Sequence, residues 1–342
     1  METCEGCTRS LRLHIQILIT MQKLNSIISF LVIAFMATSI TSCGDDDTPE
    51  TVEGTVVAVD ASFFVQGTTV TTVPCTLSDG TETTCYQIVA GSPTDHDMGP
   101  WCPDNIADDS SAGGIWLENG QVYDVDGAFV ENMATFYNDN TWLMYDANGD
   151  IYVTETEDDC INAANPNVGE AYKNFCVECL PDYVSDLQST WLIPVTPVLQ
   201  GAAATFAGMG PPGQSASGPT VRGIAFNGVE FSASAPVDNI LGAYTLAPFD
   251  DAGGHINVNQ GYHYHAATGV STEITQSDGH APMIGYAADG HGLFSQLNED
   301  GLEPTDLDAC RGHTDDTRGY HYHVDAPGSN NFINCLQGEY SN

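Results

Sequence analysis

The chain spells one pentapeptide twice, and that repetition constrains its fold more than any other feature. Gly261-Tyr262-His263-Tyr264-His265 returns as Gly319-Tyr320-His321-Tyr322-His323. A Gly-His pair precedes each copy, Gly254-His255 and Gly312-His313, and the step from that His to the next is eight residues both times. Asp250 and Asp308 stand five residues ahead of those two His. Each unit, 250–265 and 308–323, therefore reads Asp-x-x-x-Gly-His, a short polar loop, then Gly-Tyr-His-Tyr-His.

Tyr-His-Tyr-His alternates with the period of a β-strand, so the two His of each copy share one face and the two Tyr the other. Two imidazoles on one face can reach one ion, and His is the commonest transition-metal ligand. The upstream His adds a third donor. The ligand set expected is His255, His263 and His265 with His313, His321 and His323. Asp250 and Asp308 are expected to support it by accepting from ring N–H groups and fixing the tautomers, with His280 and His291 also in that supporting role. Eight of the ten His lie from His255 onward. The competing reading is a buried His-Tyr network with no ion, each ring bonded to a carbonyl or carboxylate.

These units resemble the YHYH-domain proteins, a family of secreted and envelope proteins named for the tetrapeptide. Gly223-Ile-Ala-Phe-Asn-Gly-Val-Glu-Phe231, Met283-Ile-Gly-Tyr-Ala-Ala-Asp-Gly290 and Leu307-Asp-Ala-Cys-Arg-Gly-His313 extend the likeness, which runs from about Thr220 to Gly338. His291 departs from it, because the resemblance implies Phe there. The resemblance implies an architecture more than an activity.

The amino-terminal stretch is expected not to belong to the fold. Residues 1–20 read as an upstream extension, with translation starting at Met21. Residues 21–42 then form an export signal, with Lys23 ahead of the apolar run Ile27–Met36. That run is short for a membrane span. Ile40-Thr41-Ser42-Cys43 resembles a bacterial lipobox, which implies lipidation at Cys43 and membrane attachment. The acidic stretch 43–53 reads as a tether. It is similar to signals that send some Gram-negative lipoproteins to the cell surface, so an outer-membrane or surface location is expected.

Forty-six acidic residues face seven basic ones. Beyond Cys43 the only cations are Lys173, Arg222, Arg311 and Arg318. Such a surface repels phosphate backbones, which argues against nucleic acid as a partner; protein and glycan partners stay open. Eight cysteines follow Cys43, an even number that suggests disulfides in an exported chain. Cys75 and Cys85 can close a hairpin, and Cys310 and Cys335 bracket the second unit. Cys102–Cys160 and Cys176–Cys179 remain by elimination, with that pairing open. Zinc at Cys176-Val-Glu-Cys179 is the weaker alternative, since no second pair lies nearby.

The chain reads as mostly β: a β sandwich or barrel-like YHYH domain at 220–342, behind a disulfide-containing β-rich region at 54–207. Strands are expected at Thr55–Val59 and Thr68–Val73, and again at Val221–Phe231 (two, around Asn227-Gly228) and Ala281–Ala288. Hairpin turns are expected at Asp79-Gly80, Asn119-Gly120, Asp126-Gly127 and Asn148-Gly149, and short helices or turns within 124–132 and 163–175. Gly208–Pro219 is the strongest internal punctuation. The Pro-rich run 193–198 cannot be a central strand. Asp146-Ala-Asn-Gly-Asp150 resembles a calcium loop, but its Gly is at the fourth position and not the sixth, so a plain turn is expected.

Two functions follow. In the first, the units hold copper or zinc, as all-imidazole donors favour. Their His faces would converge on one site, or form two three-His sites if the units are far apart. A three-His set with an open position could activate water, with Glu273, Asp278 or Asp289 as base and Tyr264 or Tyr322 as an auxiliary phenol; no spacing selects among them. In the second, the protein is a non-enzymatic surface module, with Trp101, Trp116, Trp142 and Trp191 as stacking surfaces or, as is commoner for Trp, as core. Phosphate loops, a dinucleotide fingerprint and a nucleophile elbow are absent from the sequence.

Overall fold

The computed structural model describes residues 55–164, 169–206, 219–270 and 272–341. The segments expected as export signal and acidic tether, Cys43 with them, and nearly all of Gly208–Pro219 lie outside them. Among the described residues no helix is long and apolar enough to cross a membrane.

The chain is mostly β and carries several sheets, none closed into a barrel. β1 (Thr68–Thr76) and β2 (Glu82–Ala90) pair across the Asp79-Gly80 turn, and β6 (Ser189–Pro194) joins β2 as an edge strand. Its terminal Pro194 needs no ladder N–H there. β3 (Ile115–Glu118) and β4 (Gln121–Asp124) meet at Asn119-Gly120. Helices α1 (Gly127–Phe136) and α2 (Glu157–Ala163) follow. The Asp126-Gly127 pair is a helix start and not a hairpin turn: the Asp126 carboxylate accepts from Phe129 N, the ordinary use of Asp at an N-cap. Thr55–Val59 forms no strand. The Asp146–Asp150 turn closes on itself, with the Asp146 carboxylate accepting from the backbone of Asn148 and Asp150.

The two regions expected on either side of residue 207 share one compact unit, Glu53–Asn342. β5 (Phe175–Cys176) pairs with β10 (Thr245–Leu246), and β7 (Leu199–Thr205) with β17 (Cys335–Gly338), so ladders cross the expected boundary. Cys75–Cys85 and Cys310–Cys335 are bonded as expected, but the other four cysteines form Cys102–Cys176 and Cys160–Cys179. The reason is local. Asp150 bridges Asn105 and Val153 bridges Cys176, which brings Cys176 beside the segment holding Cys102, while α2 carries Cys160 to Cys179.

The centre is an eight-stranded sheet. Its strands are β8 (Gly223–Ala225), β9 (Glu230–Phe231), β11 (Gly254–Asn257), β12 (Gly261–Tyr264), β13 (Met283–Ala287), β14 (Gly292–Phe294), β15 (Gly312–Asp315) and β16 (Gly319–His323). The spatial order is β11-β12-β9-β8-β13-β14-β16-β15. That order is a palindrome of two equivalent halves. Pairings Gly223–Phe231 and Ile224–Glu230 recur as Gly285–Leu293 and Tyr286–Gly292. Glu230–His263 and Phe231–Tyr264 recur as Gly292–His321 and Leu293–Tyr322. The halves join where Ile224 faces Tyr286, with Gly223–Ala287 and Ala225–Gly285 on either side. A pseudo-twofold axis therefore passes between β8 and β13.

Side chains paired across strands share a face, so one row crosses the whole sheet: His255, His263, Glu230, Ile224, Tyr286, Gly292, His321, His313. The middle of this face is apolar and packs with Val59, Ile88 and Ile193 of the three-stranded sheet region. The opposite face carries Tyr264, Phe231 and Tyr322, all fully buried, in the larger core with Trp101, Trp116 and Phe332. Each such side chain contributes about 1.5–3 kcal/mol by burial. Trp101, Trp116 and Trp142 are core and offer no stacking surface.

Candidate metal centres

His263 and His321 lie five strand spacings apart along the row, about 24 Å on a sheet of ordinary spacing. The single convergent site is therefore ruled out by the sheet order: the units occupy opposite ends and not neighbouring strands. Two separate imidazole clusters result. One holds His255, His263 and His265, the other His280, His313, His321 and His323, and in each the ligand nitrogens lie within 4.8 Å of one another.

The repeated letters outside the His explain how each cluster is built. Asp250 accepts from Gly254 N and the Tyr262 hydroxyl, at 3.0 and 2.8 Å. Asp308 accepts from Gly312 N and the Tyr320 hydroxyl, at 2.9 and 2.8 Å. The phenol must lie across the glycine to reach the carboxylate. A Cβ on Gly254 would stand 2.5 Å from the Tyr262 oxygen, and one on Gly312 2.1 Å from that of Tyr320. Asp, Gly and Tyr are thus one clamp that sets the β11–β12 and β15–β16 registers and so places His255 opposite His263, and His313 opposite His321. The tautomer-fixing role expected of Asp250 and Asp308 is corrected: alternation sends the Tyr to the Asp side and the His to the other.

The His rings are fixed mostly by carbonyls. His263 Nδ1 lies 3.0 Å from Gly261 O and His265 Nδ1 2.6 Å from Ala233 O; His255 bonds the backbone of Pro248. In the second cluster His321 Nδ1 meets Gly319 O (2.9 Å), His323 Nδ1 meets Ser295 O (2.9 Å) and His280 Nδ1 meets Ala281 O (3.1 Å). His313 Nδ1 meets the Asp306 carboxylate at 2.9 Å. A carbonyl only accepts, so Nδ1 carries the proton in each ring bonded through it, and a neutral ring then has a bare Nε2. Those bare nitrogens face one another: His280 Nε2 is 3.0 Å from His321 Nε2 and 3.2 Å from His323 Nε2. His313 Nε2 is buried with no hydrogen-bond partner.

A proton does not resolve that contact at neutral pH. Burial holds His321 at about 4 and His323 at about 3, and lowers His280. In the first cluster burial holds His263 at about 4 and lowers His255 and His265 well below the ordinary value, with the neighbouring imidazoles adding to it for those two. A metal ion fits instead. With metal–nitrogen bonds of about 2.0–2.1 Å, the edge of a tetrahedron is about 3.3 Å, close to the two nitrogen–nitrogen distances. The first cluster is nearly an equilateral triangle, its ring centroids 4.8, 4.9 and 4.8 Å apart.

His280, expected in support, lies inside the second cluster. His291, also expected in support, lies in neither: its Nδ1 bonds Tyr320 O and its ring packs on Tyr320 at 5.2 Å, on the Tyr face. Asp289, offered as a base, is buried and accepts from Tyr322 at 2.6 Å; Asp278 pairs with Arg318; Glu273 is exposed. Two carboxylates escaped the sequence reading. Asp306 is one, signalled only by standing seven residues before His313. Glu230 is the other: 6% exposed, beside His263 in the row, with its carboxyl raised by burial. An open cleft lined by Asp278, Asn298, Glu299 and Asp300 reaches His280.

The family model described as YHYH protein matches residues 190–306. It spans the first unit, β13, β14 and His280, and stops before His313. The match begins about thirty residues earlier than the resemblance suggested and ends about as far short. No curated protein and no solved structure matches the chain.

Proposed function

We propose that this chain, whose residues 190–306 match the family model described as YHYH protein, is an exported envelope protein that binds copper or zinc at two His-only centres. The observation that carries this reading is the cluster of His280, His313, His321 and His323, with Nδ1 occupied by oxygen acceptors and Nε2 atoms as close as 3.0 Å with no proton to share. A His-Tyr network without an ion would pair its inward nitrogens with donors, and His313 Nε2 has none. Imidazole-only donors suit zinc and copper and not calcium or magnesium. The metal would supply charge that satisfies the facing lone pairs; the protein's own part is to hold the seven rings aimed. Asp306 on His313 supplies the carboxylate partner that metal-bound imidazoles use to fix orientation.

Four disulfides support an oxidising compartment. Ile40-Thr41-Ser42-Cys43 supports attachment of the mature chain to a membrane through Cys43. The acidic surface speaks against nucleic acid.

The test is metal content by plasma mass spectrometry on exported protein beginning at Cys43, washed with chelator to strip ions held loosely by surface carboxylates. Two copper or zinc ions per chain are expected, with one lost in His321→Ala and the other in His263→Ala. Protein free of metal before and after loading with either ion sinks the reading.

A further inference from the structure

The pseudo-twofold axis makes the two centres comparable position by position, and they are not equal. His255, His263 and His265 superimpose in register on His313, His321 and His323. The second centre has a fourth imidazole, His280, from the segment leading into β13. Residues 207–218 contain no His, Cys, Asp or Glu, and among the described residues no fourth donor joins the first cluster. The ring of Phe249 flanks the first cluster, 4.9 Å from His255 and 5.2 Å from His265. Phe249 is fully buried and His263 and His265 are 4% and 5% exposed, which leaves the partly exposed His255 as the open side.

We propose that the two centres divide their roles: the four-His centre is coordinatively closed, and the three-His centre His255–His263–His265 keeps one position for a small exogenous donor, such as water, hydroxide or an anion of a few atoms. This rests on the metal-binding reading above. Four protein ligands in a tetrahedron are the mark of a structural site, and three with a vacancy the mark of a reactive one. The apolar Phe249 wall admits a small ligand and excludes a bulky one.

Cobalt(II) and azide test it on the whole mature protein. Cobalt reports its ligand field by visible absorption, and azide occupies only a vacant or water-filled position. Two cobalt ions per chain are expected, with azide shifting the spectrum of one and leaving the other unchanged. His255→Ala should remove the azide-responsive band, and His280→Ala should make the second centre respond as well. Two bound cobalt ions that both ignore azide, or both respond to it in the unaltered protein, overturn the proposal. That result needs no variant, so a variant that fails to fold does not rescue it. A chain that binds no cobalt, zinc or copper fails at the earlier step and refutes metal binding itself.

Discussion

The buried imidazoles should make the metal-free protein sensitive to mild acid, and His263 gives the cleanest measure. An imidazole in the unfolded chain titrates near 6.5; burial brings folded His263 to about 4. Between those values the unfolded chain holds a proton that the folded chain refuses, so acid favours unfolding. The stabilisation is fully present above about pH 6.5 and is lost as pH falls toward 4. From pH 7.5 to 5 the loss is about 2 kcal/mol for His263 alone, against a total stability of about 5–15 kcal/mol for a typical domain. His321, also held at about 4, adds a similar amount. The assay is urea unfolding of chelator-stripped protein at half-unit steps across that range. His263→Asn should flatten the dependence by about one proton, whatever it does to stability at pH 7.5. Equal slopes in the two proteins would refute the claim that this ring is buried neutral.

Three further outcomes follow from single contacts. Asp306→Asn removes the carboxylate on His313 Nδ1 and should weaken metal at the four-His centre by about 10–100-fold, read by competition with a chromogenic chelator, while the three-His centre holds. Gly312→Ala puts a methyl against the Tyr320 hydroxyl and should cost about 1–3 kcal/mol as an overpacking substitution, read by thermal melting; no loss would break the clamp argument. Joint replacement of Cys102 and Cys176 by Ser opens a loop of 74 residues' separation and should cost about 4 kcal/mol by loop closure, read by denaturant midpoint. Replacing Cys75 and Cys85, only 10 apart, should cost less.

The sequence was most legible where local chemistry alone sets structure. Alternation in Tyr-His-Tyr-His puts three imidazoles of each unit on one face whatever the rest of the sheet does. Short sequence distance made Cys75–Cys85 and Cys310–Cys335 readable, whereas Cys102–Cys176 depends on a bridge from Val153 to Cys176 that no local pattern announces. The larger symmetry was hidden because backbone pairing carries it. Gly223–Phe231 and Gly285–Leu293 share few letters, yet Asn227 and Asp289 do one job at their turns, each accepting from the backbone N–H two residues on, at 3.1 Å. Asn227 also donates to the Tyr264 hydroxyl, where Asp289 accepts from that of Tyr322. Strand order could not be read from the units themselves, so the two His faces were brought together when they belong at opposite ends. His280 was expected only in support, because a lone His has no spacing to argue from; the strand order brings it among His313, His321 and His323.

Anomalous diffraction at the zinc and copper edges, from crystals of the exported protein, tests the central claim most directly. The account predicts a strong peak about 2 Å from the Nε2 atoms of His280, His313, His321 and His323, and a second among His255, His263 and His265, five strands away. Well-ordered imidazoles with only water or a shared proton between them, and no anomalous peak after loading with either metal, would contradict it.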